Sequence, residues 1–312
     1  MMGSTPNSEL PAATVVITTK NRKDELRTAL ASVVRQTVAV EILVFDDGST
    51  DGTSEMVAAE FPQARLHRVE QSLGIIEARN AAIPLATAPI AITIDDDCVF
   101  PTEDIVKQTL ADFDHPRVGV VAIPSIDVRK SQETIGLAPD REGVYICSQF
   151  RGGANAIRKD LFVKLEGYRG FLWRQGEEAD FCIRMLDAGY VVRVGLAEPI
   201  HHYESLARDR TKIMYYTSRN NVLYAWYNVP MPYFPAHLAA TTWNCLRAGM
   251  RYGYVTAAVK GIVCGYGAMA HERGRRAALS TRSYQLTRRL RGRGIMKLEE
   301  IEGELGEMRE DK

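Results

Sequence analysis

The chain has 312 residues, of which 46% are hydrophobic and 25% charged, enough to bury a large core as one elaborated domain or as a domain with a helical appendix. Lysine plus arginine and aspartate plus glutamate both number 39, so net charge makes no case for a nucleic-acid partner. The five cysteines are scattered and lack CxxC spacing, which fits reduced thiols in a cytosolic compartment better than a disulfide framework or a zinc site.

Residues 1–12 read as a flexible N-terminus without the basic and apolar regions of a secretory signal. Residues 15–18 (VVIT) read as a short buried strand, after which Asn21 can cap a helix through Gln36 with Leu26, Ala29, Leu30, Val33 and Val34 on its apolar face. Residues 41–45 (EILVF) form a second predicted strand that ends in Asp46-Asp47-Gly48-Ser49. A helix follows, with Ser49 or Asp51 as candidate cap and Met56, Val57 and Phe61 inward. A third strand is predicted over 65–69, a helix over 74–82 stopped near Pro84, and a fourth strand over 90–94 that runs into Asp95-Asp96-Asp97. Strands and helices alternating at these intervals predict an α/β fold with a mostly parallel sheet flanked by helices. Ligands bind such sheets outside the carboxyl ends of the strands, so both aspartate clusters should face one crevice.

The pattern loosens after a predicted helix over 102–113. A strand over 118–123 is followed by a polar loop over 127–142 and a candidate strand over 144–150 leading into Arg151-Gly152-Gly153-Ala154-Asn155. Short helices over 161–165 and 178–188 end at Gly167 and Gly189. From Arg210 onward the chain reads mainly as helix, broken at Pro230, Pro232 and Pro235. The apolar stretch 243–270 is interrupted by Arg247, Arg251 and Lys260 short of the ~18 residues of a membrane span. Residues 273–293 are arginine-rich and 297–312 mostly acidic, which predicts a basic arm and a charged terminal helix.

Hard divalent cations such as Mg²⁺ and Mn²⁺ prefer oxygen ligands, and Mg²⁺ is commonly held by one or two carboxylates plus substrate phosphates. Asp95-Asp96-Asp97 at a strand end meets that demand; away from a strand end, such a triplet would read as a solvated turn. A cation there would stabilise charge on a departing nucleoside diphosphate. Asp46-Asp47-Gly48-Ser49 offers acceptors for a base edge or ribose hydroxyl, or equally a helix-capping turn.

These segments carry a resemblance. Thr18-Thr19-Lys20-Asn21-Arg22, Asp46-Asp47-Gly48-Ser49-Thr50-Asp51, Gly74 with Ala78-Arg79-Asn80, and Asp95-Asp96-Asp97 occur in order, and they resemble the nucleotide-sugar half of a family 2 glycosyltransferase with the GT-A, Rossmann-like fold. Gly152-Gly153-Ala154-Asn155 and Gly176-Glu177-Glu178-Ala179-Asp180-Phe181-Cys182-Ile183-Arg184 resemble that family's acceptor-side glycine segment and acidic catalytic motif. The resemblance implies a GT-A domain over 13–230, with a nucleotide-sugar half (13–100) and an acceptor half (101–230), followed by a helical extension over 231–312.

It further implies a metal-dependent, inverting transfer from a nucleotide-diphosphate sugar to a hydroxyl of a glycan or lipid-linked acceptor, with Mn²⁺ or Mg²⁺ as cofactor. Polysaccharide or glycolipid synthesis in the cytoplasm, or on the inner face of the membrane, is the expected setting. On this resemblance Asp47 reads the base, Thr19 and Asn21 line the nucleotide pocket, and Arg79 lies near the diphosphate. Asp95 and Asp97 are the outer residues of the DxD motif around Asp96, and Asp97 is the direct metal contact. Gly153, Asn155 and Trp173 fall on the acceptor side.

The family motif commonly reads Glu-Asp where this chain has Glu177-Glu178, so the aligned base is Glu178, one methylene longer, and the choice between Glu177 and Glu178 stays open. One carboxylate must take a proton from the acceptor hydroxyl as it attacks the anomeric carbon. Stabilisation of two acids by a helix dipole explains the same pair without catalysis. In this family a histidine in the region of His201 and His202 can approach the metal or diphosphate, whereas a lone histidine is more often a packed residue. Arg208, Arg210 and Arg219-Asn220 suit either a phosphate or a solvated helix face. Trp173 suits either sugar stacking or burial.

Tyr252, Tyr254 and Tyr266, followed by the arginine arm, suit peripheral contact with an anionic membrane surface, or equally a packing or homo-oligomer surface. Two competing functions stay open: a nucleotidyltransferase on a similar sheet, which would release pyrophosphate, and an inactive sugar-binding scaffold.

Overall fold

The apolar run ATVVITT forms strand β1 (Ala13–Thr19) in the computed structural model, which describes residues 11–205, 209–271 and 276–308. Alternate residues of β1 point to opposite faces, Val15 and Ile17 into one buried cluster and Val16 into another, so helices must cover both sides. The chain continues through α1 (Lys23–Val33), β2 (Val40–Asp46), α2 (Thr53–Glu60), β3 (Ala64–Arg68), α3 (Ile75–Ala82) and β4 (Ile90–Asp95). This is the predicted alternation, and β1, β2, β3 and β4 pair in parallel.

Two helix starts differ from expectation. Asn21 has a left-handed φ of 53° and does not cap α1; its Oδ1 accepts from Thr50 N at 2.7 Å, tying the loop after β1 to the loop after β2. Neither Ser49 nor Asp51 occupies the cap of α2, which falls to Gly52, although Asp51 accepts from Thr53 N at 3.1 Å. Val34, expected on the buried face of α1, is exposed because the helix ends one residue earlier.

Next come β5 (Cys98–Val99), α4 (Ile105–Ala111), β6 (Val118–Ala122), β7 (Ser125–Asp127), β8 (Thr134–Ile135), β9 (Tyr145–Cys147), β10 (Ala154–Arg158), α5 (Lys159–Lys164), α6 (Glu177–Asp187), β11 (Val191–Val194) and β12 (Ile200–His202). The large sheet runs β13-β9-β11-β6-β10-β4-β1-β2-β3, with β13 (Ile295–Lys297) at one edge. It is parallel on the β4 to β3 side and mixed beyond, because β10 inserts antiparallel to both β4 and β6. That insertion brings Gly152 and Gly153 to the carboxyl end of β4. A second sheet, β5-β12-β7-β8, sits beside it and pairs His202 with Cys98. The segment expected to be a polar loop over 127–142 contains β8, at the edge of this second sheet.

Helices α7 (Arg210–Asn228), α8 (Phe234–Tyr252), α9 (Val255–His271) and α10 (Thr281–Arg293) precede β13, with Pro235 in the first turn of α8 as its fixed φ favours. α9 approaches α7 through small residues: a Cβ at Gly261 would overlap the Tyr215 carbonyl, and one at Gly265 would fall 2.8 Å from Val222 Cβ. The charged helix expected over 297–312 does not form in its described part. Met296, Leu298, Ile301 and Leu305 are buried against the large sheet, and that spacing is met by a strand and two 3₁₀ turns separated at Ile301. The expected flexible N-terminus as far as residue 10, together with Arg208 and Arg273, lies outside the described residues.

One packing contact predicts a pH effect. His237 on α8 accepts from or donates to Tyr284 Oη at 2.9 Å, and burial, then Arg291 and Arg288, push its pKa down from 6.5 to about 4. A base with a depressed folded pKa contributes stability above its unfolded pKa and loses it as pH falls through the window from 6.5 to about 4. Acidification across that window should remove about 1–2 kcal/mol, discounted for partial exposure. In thermal melts His237→Gln should flatten this slope; an unchanged slope would reject the assignment.

Candidate active site

β1 and β4 end side by side, with Thr18 opposite Asp95, so the turn after each strand opens on the same crevice. Thr19 Oγ1 donates to Asp96 Oδ2 at 2.8 Å, fixing the middle aspartate inward. Arg22, at the cap of α1, reaches the same cluster: Nη1 lies 3.0 Å from Asp96 Oδ1 and Nη2 donates to Asp97 Oδ2 at 2.9 Å. Burial, opposed by Arg22 and Thr19, still raises the Asp96 carboxyl to about 7. Asp97 goes the other way: burial would raise it, but His202 and Arg22 outweigh that and hold it at about 2.

The remaining oxygen of Asp97, Oδ1, is buried without a hydrogen bond and lies 3.3 Å from His202 Nε2. Asp97, Cys98 and His202 present ligand atoms within 4.8 Å of one another, the only such group of three among the described residues. His202 faces this cluster because β12 pairs antiparallel with β5. His201, one residue earlier, points to the other side and rests against Tyr203. Of the two candidate histidines the fold therefore brings His202 to the aspartates and leaves His201 outside.

Asp95 belongs to a second cluster. Arg79, buried on α3, donates from Nη2 to Asp95 Oδ1 at 2.6 Å, and its Nη1 lies 3.6 Å from Glu177 Oε1. Glu178, half-buried in the first turn of α6, accepts from Gly152 N at 3.1 Å. Burial, then the neighbouring Glu177 charge, raise the Glu178 carboxyl above the ordinary range, against the opposing pull of Arg79. Glu177 Oε2 is buried without a hydrogen-bond partner.

Glycines make this approach possible. A Cβ at Gly152 would stand 2.5 Å from both Arg79 Nη1 and Glu178 Oε1, and one at Gly153 would overlap the Asp95 carboxylate. Gly153→Ala should therefore displace Asp95 from Arg79 and lower turnover by about 10²-fold, the effect of misplacing a site group by about 1 Å. An Ala variant with wild-type turnover would show that this packing is irrelevant to function.

The other expected site residues are placed as follows. Asp47 accepts from Ser72 Oγ at 2.6 Å, Leu73 N at 2.6 Å and Gly74 N at 3.1 Å, holding the turn before α3. Trp173 is 54% exposed with a left-handed φ of 63°, and its ring stands over Gly74, which removes burial as the reason for its presence. Asn155 is buried, donates to the Arg151 and Gly152 carbonyls at 3.1 and 3.0 Å, and so shapes the glycine turn rather than reaching the crevice.

Asn220 on α7 donates to the carbonyls of Leu172, Arg174 and Gln175, each at 2.8 Å, and Arg219 donates to Phe171 at 3.0 Å. The Arg219-Asn220 pair thus clamps the Trp173 turn. Two cluster members had no assigned role in the sequence reading, Arg22 and Cys98. Arg22 closes the Thr18-Thr19-Lys20-Asn21-Arg22 segment, and Cys98 directly follows the aspartates.

The family model "Glycosyl transferase family 2" matches residues 14–163. The succinoglycan biosynthesis protein ExoU of Rhizobium meliloti is 37% identical over 91 residues, 28% of this chain and 27% of that protein. Validoxylamine A glucosyltransferase of Streptomyces hygroscopicus subsp. jinggangensis is 39% identical over 101 residues, 30% of this chain and 24% of that protein. The chain thus matches about a quarter of the length of these curated relatives.

Among solved structures, the mannosyltransferase PcManGT from Pyrobaculum calidifontis in complex with GDP-Man and Mn²⁺ superposes with a TM-score of 0.55 at 20% identity, over 90% of this chain and 84% of that one. S. aureus TarS 1-349 superposes with a TM-score of 0.58 at 16% identity, over 77% and 73%. The similarity to these structures is one of fold, whereas the family match rests on the segment that supplies both strand-end aspartate clusters, Arg79 and the glycine turn. Residues 14–163, just under half of the chain, thus match glycosyl transferase family 2, and the fold is the GT-A fold of the solved glycosyltransferases.

Proposed function

We propose that the protein is an inverting, divalent-cation-dependent glycosyltransferase that moves a sugar from a nucleotide-diphosphate donor to a hydroxyl of a glycan or lipid-linked acceptor in polysaccharide or glycolipid synthesis. The observation that carries this reading is the single crevice in which Asp95, Arg79, Glu177 and Glu178 meet across the Gly152-Gly153 turn, with Asp97 and His202 beside them. GDP-Man with Mn²⁺ in the complex of PcManGT, and UDP-GlcNAc in one of TarS, support a donor of this class.

The residues present fit a hard divalent cation, because Asp97 keeps a buried oxygen without a hydrogen bond and an imidazole stands next to it. Asp97 and His202 would hold the ion, next to the cluster in which Arg79 holds Asp95. When bound, it supplies Lewis-acid stabilisation of negative charge on the departing diphosphate. The chain's own groups perform the rest. Arg79 is a fixed buried cation that can neutralise phosphate charge while keeping Asp95 in place. Thr19 and Arg22 orient Asp96 and Asp97.

Glu178 takes the acceptor proton: its raised proton affinity suits a general base, and its hydrogen bond to Gly152 N fixes its direction. Glu177 faces Arg79 and positions it. Trp173, exposed at the rim, offers a face for an acceptor sugar, and Asp47 with Asn21 shapes the loops around the nucleotide.

Purified protein incubated with a panel of nucleotide sugars and Mn²⁺, Mg²⁺ or EDTA should release nucleoside diphosphate from one donor only when a cation is present. Pyrophosphate as product would favour a nucleotidyltransferase, and no release from any donor with acceptor extract present would favour a scaffold.

A further inference from the structure

The outer side of the α8–α9 hairpin reverses the usual order of a surface helix. α9 buries its small residues, Ala257, Ala258, Gly261 and Gly265, together with Ile262, and turns Val255, Val259 and Val263 outward, the last 65% exposed. These three valines recur every four residues and form one continuous stripe. The adjoining helix α8 exposes Trp243 at 60% and Met250 at 55%. Burial cannot explain large apolar side chains held in water while small ones occupy the helix interface, and contiguous apolar patches of this kind mark interaction surfaces.

Charge decides the partner. Residues 210–271 contain no aspartate or glutamate, although the chain has 39 in all. The charged residues interspersed with the exposed apolar ones are Arg247, Arg251 and Lys260, all exposed and none with a carboxylate partner among the described residues. A second copy docked through this face would set cations against cations with no acid to offset them. An anionic lipid surface instead takes up the apolar stripe at the acyl boundary and pairs the cations with its headgroups. No helix among the described residues is long and apolar enough to cross a membrane, so contact of this kind lies in the interface plane.

We propose that the α8–α9 face, centred on Trp243, Val259 and Val263, docks the protein on an anionic bilayer surface. This assignment shifts the membrane contact expected from the sequence. Tyr266 Oη is occupied by Thr242 at 2.8 Å, and three arginines of the basic arm are engaged within the chain: Arg291 lies over Tyr224 at 4.9 Å, Arg289 pairs with Glu304 at 2.6 Å and Arg293 with Glu300 at 3.0 Å. The docking face is tied to the Trp173 turn by one helix, since α9 packs along α7 at Gly261 and Gly265 and α7 clamps that turn through Asn220. Docking requires no catalysis and stands apart from the proposed transfer.

The test is co-sedimentation of the full chain with phosphatidylcholine vesicles, with and without phosphatidylglycerol. Binding should require phosphatidylglycerol, weaken with added salt, and fall at least tenfold in the exposed double variant Val259→Glu, Val263→Glu. Arg251→Gln alone should weaken it about fivefold. Each variant should keep wild-type far-UV circular dichroism and donor turnover in solution. Equal binding to both vesicle types, no binding to either, undiminished binding by the double variant, or a concentration-dependent dimer abolished by that variant would each overturn the proposal.

Discussion

Glu178→Gln is expected to slow sugar transfer by about 10²–10⁴-fold while leaving donor affinity nearly unchanged. Glutamine matches glutamate in size, and its carbonyl oxygen can still accept from Gly152 N, so the glycine turn and Arg79 should stay in place. What it loses is the capacity to take a proton. The neighbouring variant separates the two acids. Glu177→Gln removes a charge 3.6 Å from Arg79 without removing the proposed base, so it should weaken donor binding more than it slows the step that follows. The reverse pattern, a catalytic collapse in Glu177→Gln and near-normal turnover in Glu178→Gln, would exchange the two roles. Measuring transfer with saturating and limiting donor distinguishes these outcomes, since loss of a base lowers kcat and loss of a positioning charge raises KM.

Asp97→Asn should abolish cation-dependent donor turnover, a loss of about 10³-fold or more if the ion contributes several kcal/mol at the departing diphosphate. A second readout is independent of activity: Mn²⁺ should raise the melting temperature of the wild-type protein and leave that of Asp97→Asn unmoved. Asparagine keeps an oxygen toward Arg22 while removing the charge that pairs with Arg22 and His202. The metal-free variant should lose some stability, and its reduced Mn²⁺ response must be read against its own metal-free melt. An unchanged Mn²⁺ shift in Asp97→Asn would sink the metal assignment even if activity fell. His202→Gln provides the companion measurement, because His201 stands on the other side of β12 and His201→Gln should leave the shift intact.

The β/α order from Ala13 to Asp95 was legible in the chain because its signals are local. Short apolar runs such as VVIT and EILVF must be buried on both faces, and Asp46-Asp47 and Asp95-Asp96-Asp97 terminate them at positions where such sheets bind ligands. Capping was less legible. Asn21 read as a helix cap, but its side chain bonds Thr50 across the crevice, a partner 29 residues away that local pattern cannot supply. The terminal acidic segment read as a helix from charge alone, whereas the spacing of Met296, Leu298, Ile301 and Leu305 follows the core they fill.

The sequence by itself thus determined the residue types of the site and which of them end strands or begin helices. Only the tertiary structure decided how they combine: Asp95 with Arg79 and Glu177, Asp97 with Arg22 and His202, His201 apart, and Asn155 turned toward its own glycine turn. The physical reason is range. Strand burial and helix periodicity are set within a few residues, but the antiparallel insertion of β10 and the pairing of β12 with β5 join positions tens to about a hundred residues apart, whose register depends on the packing of the whole sheet.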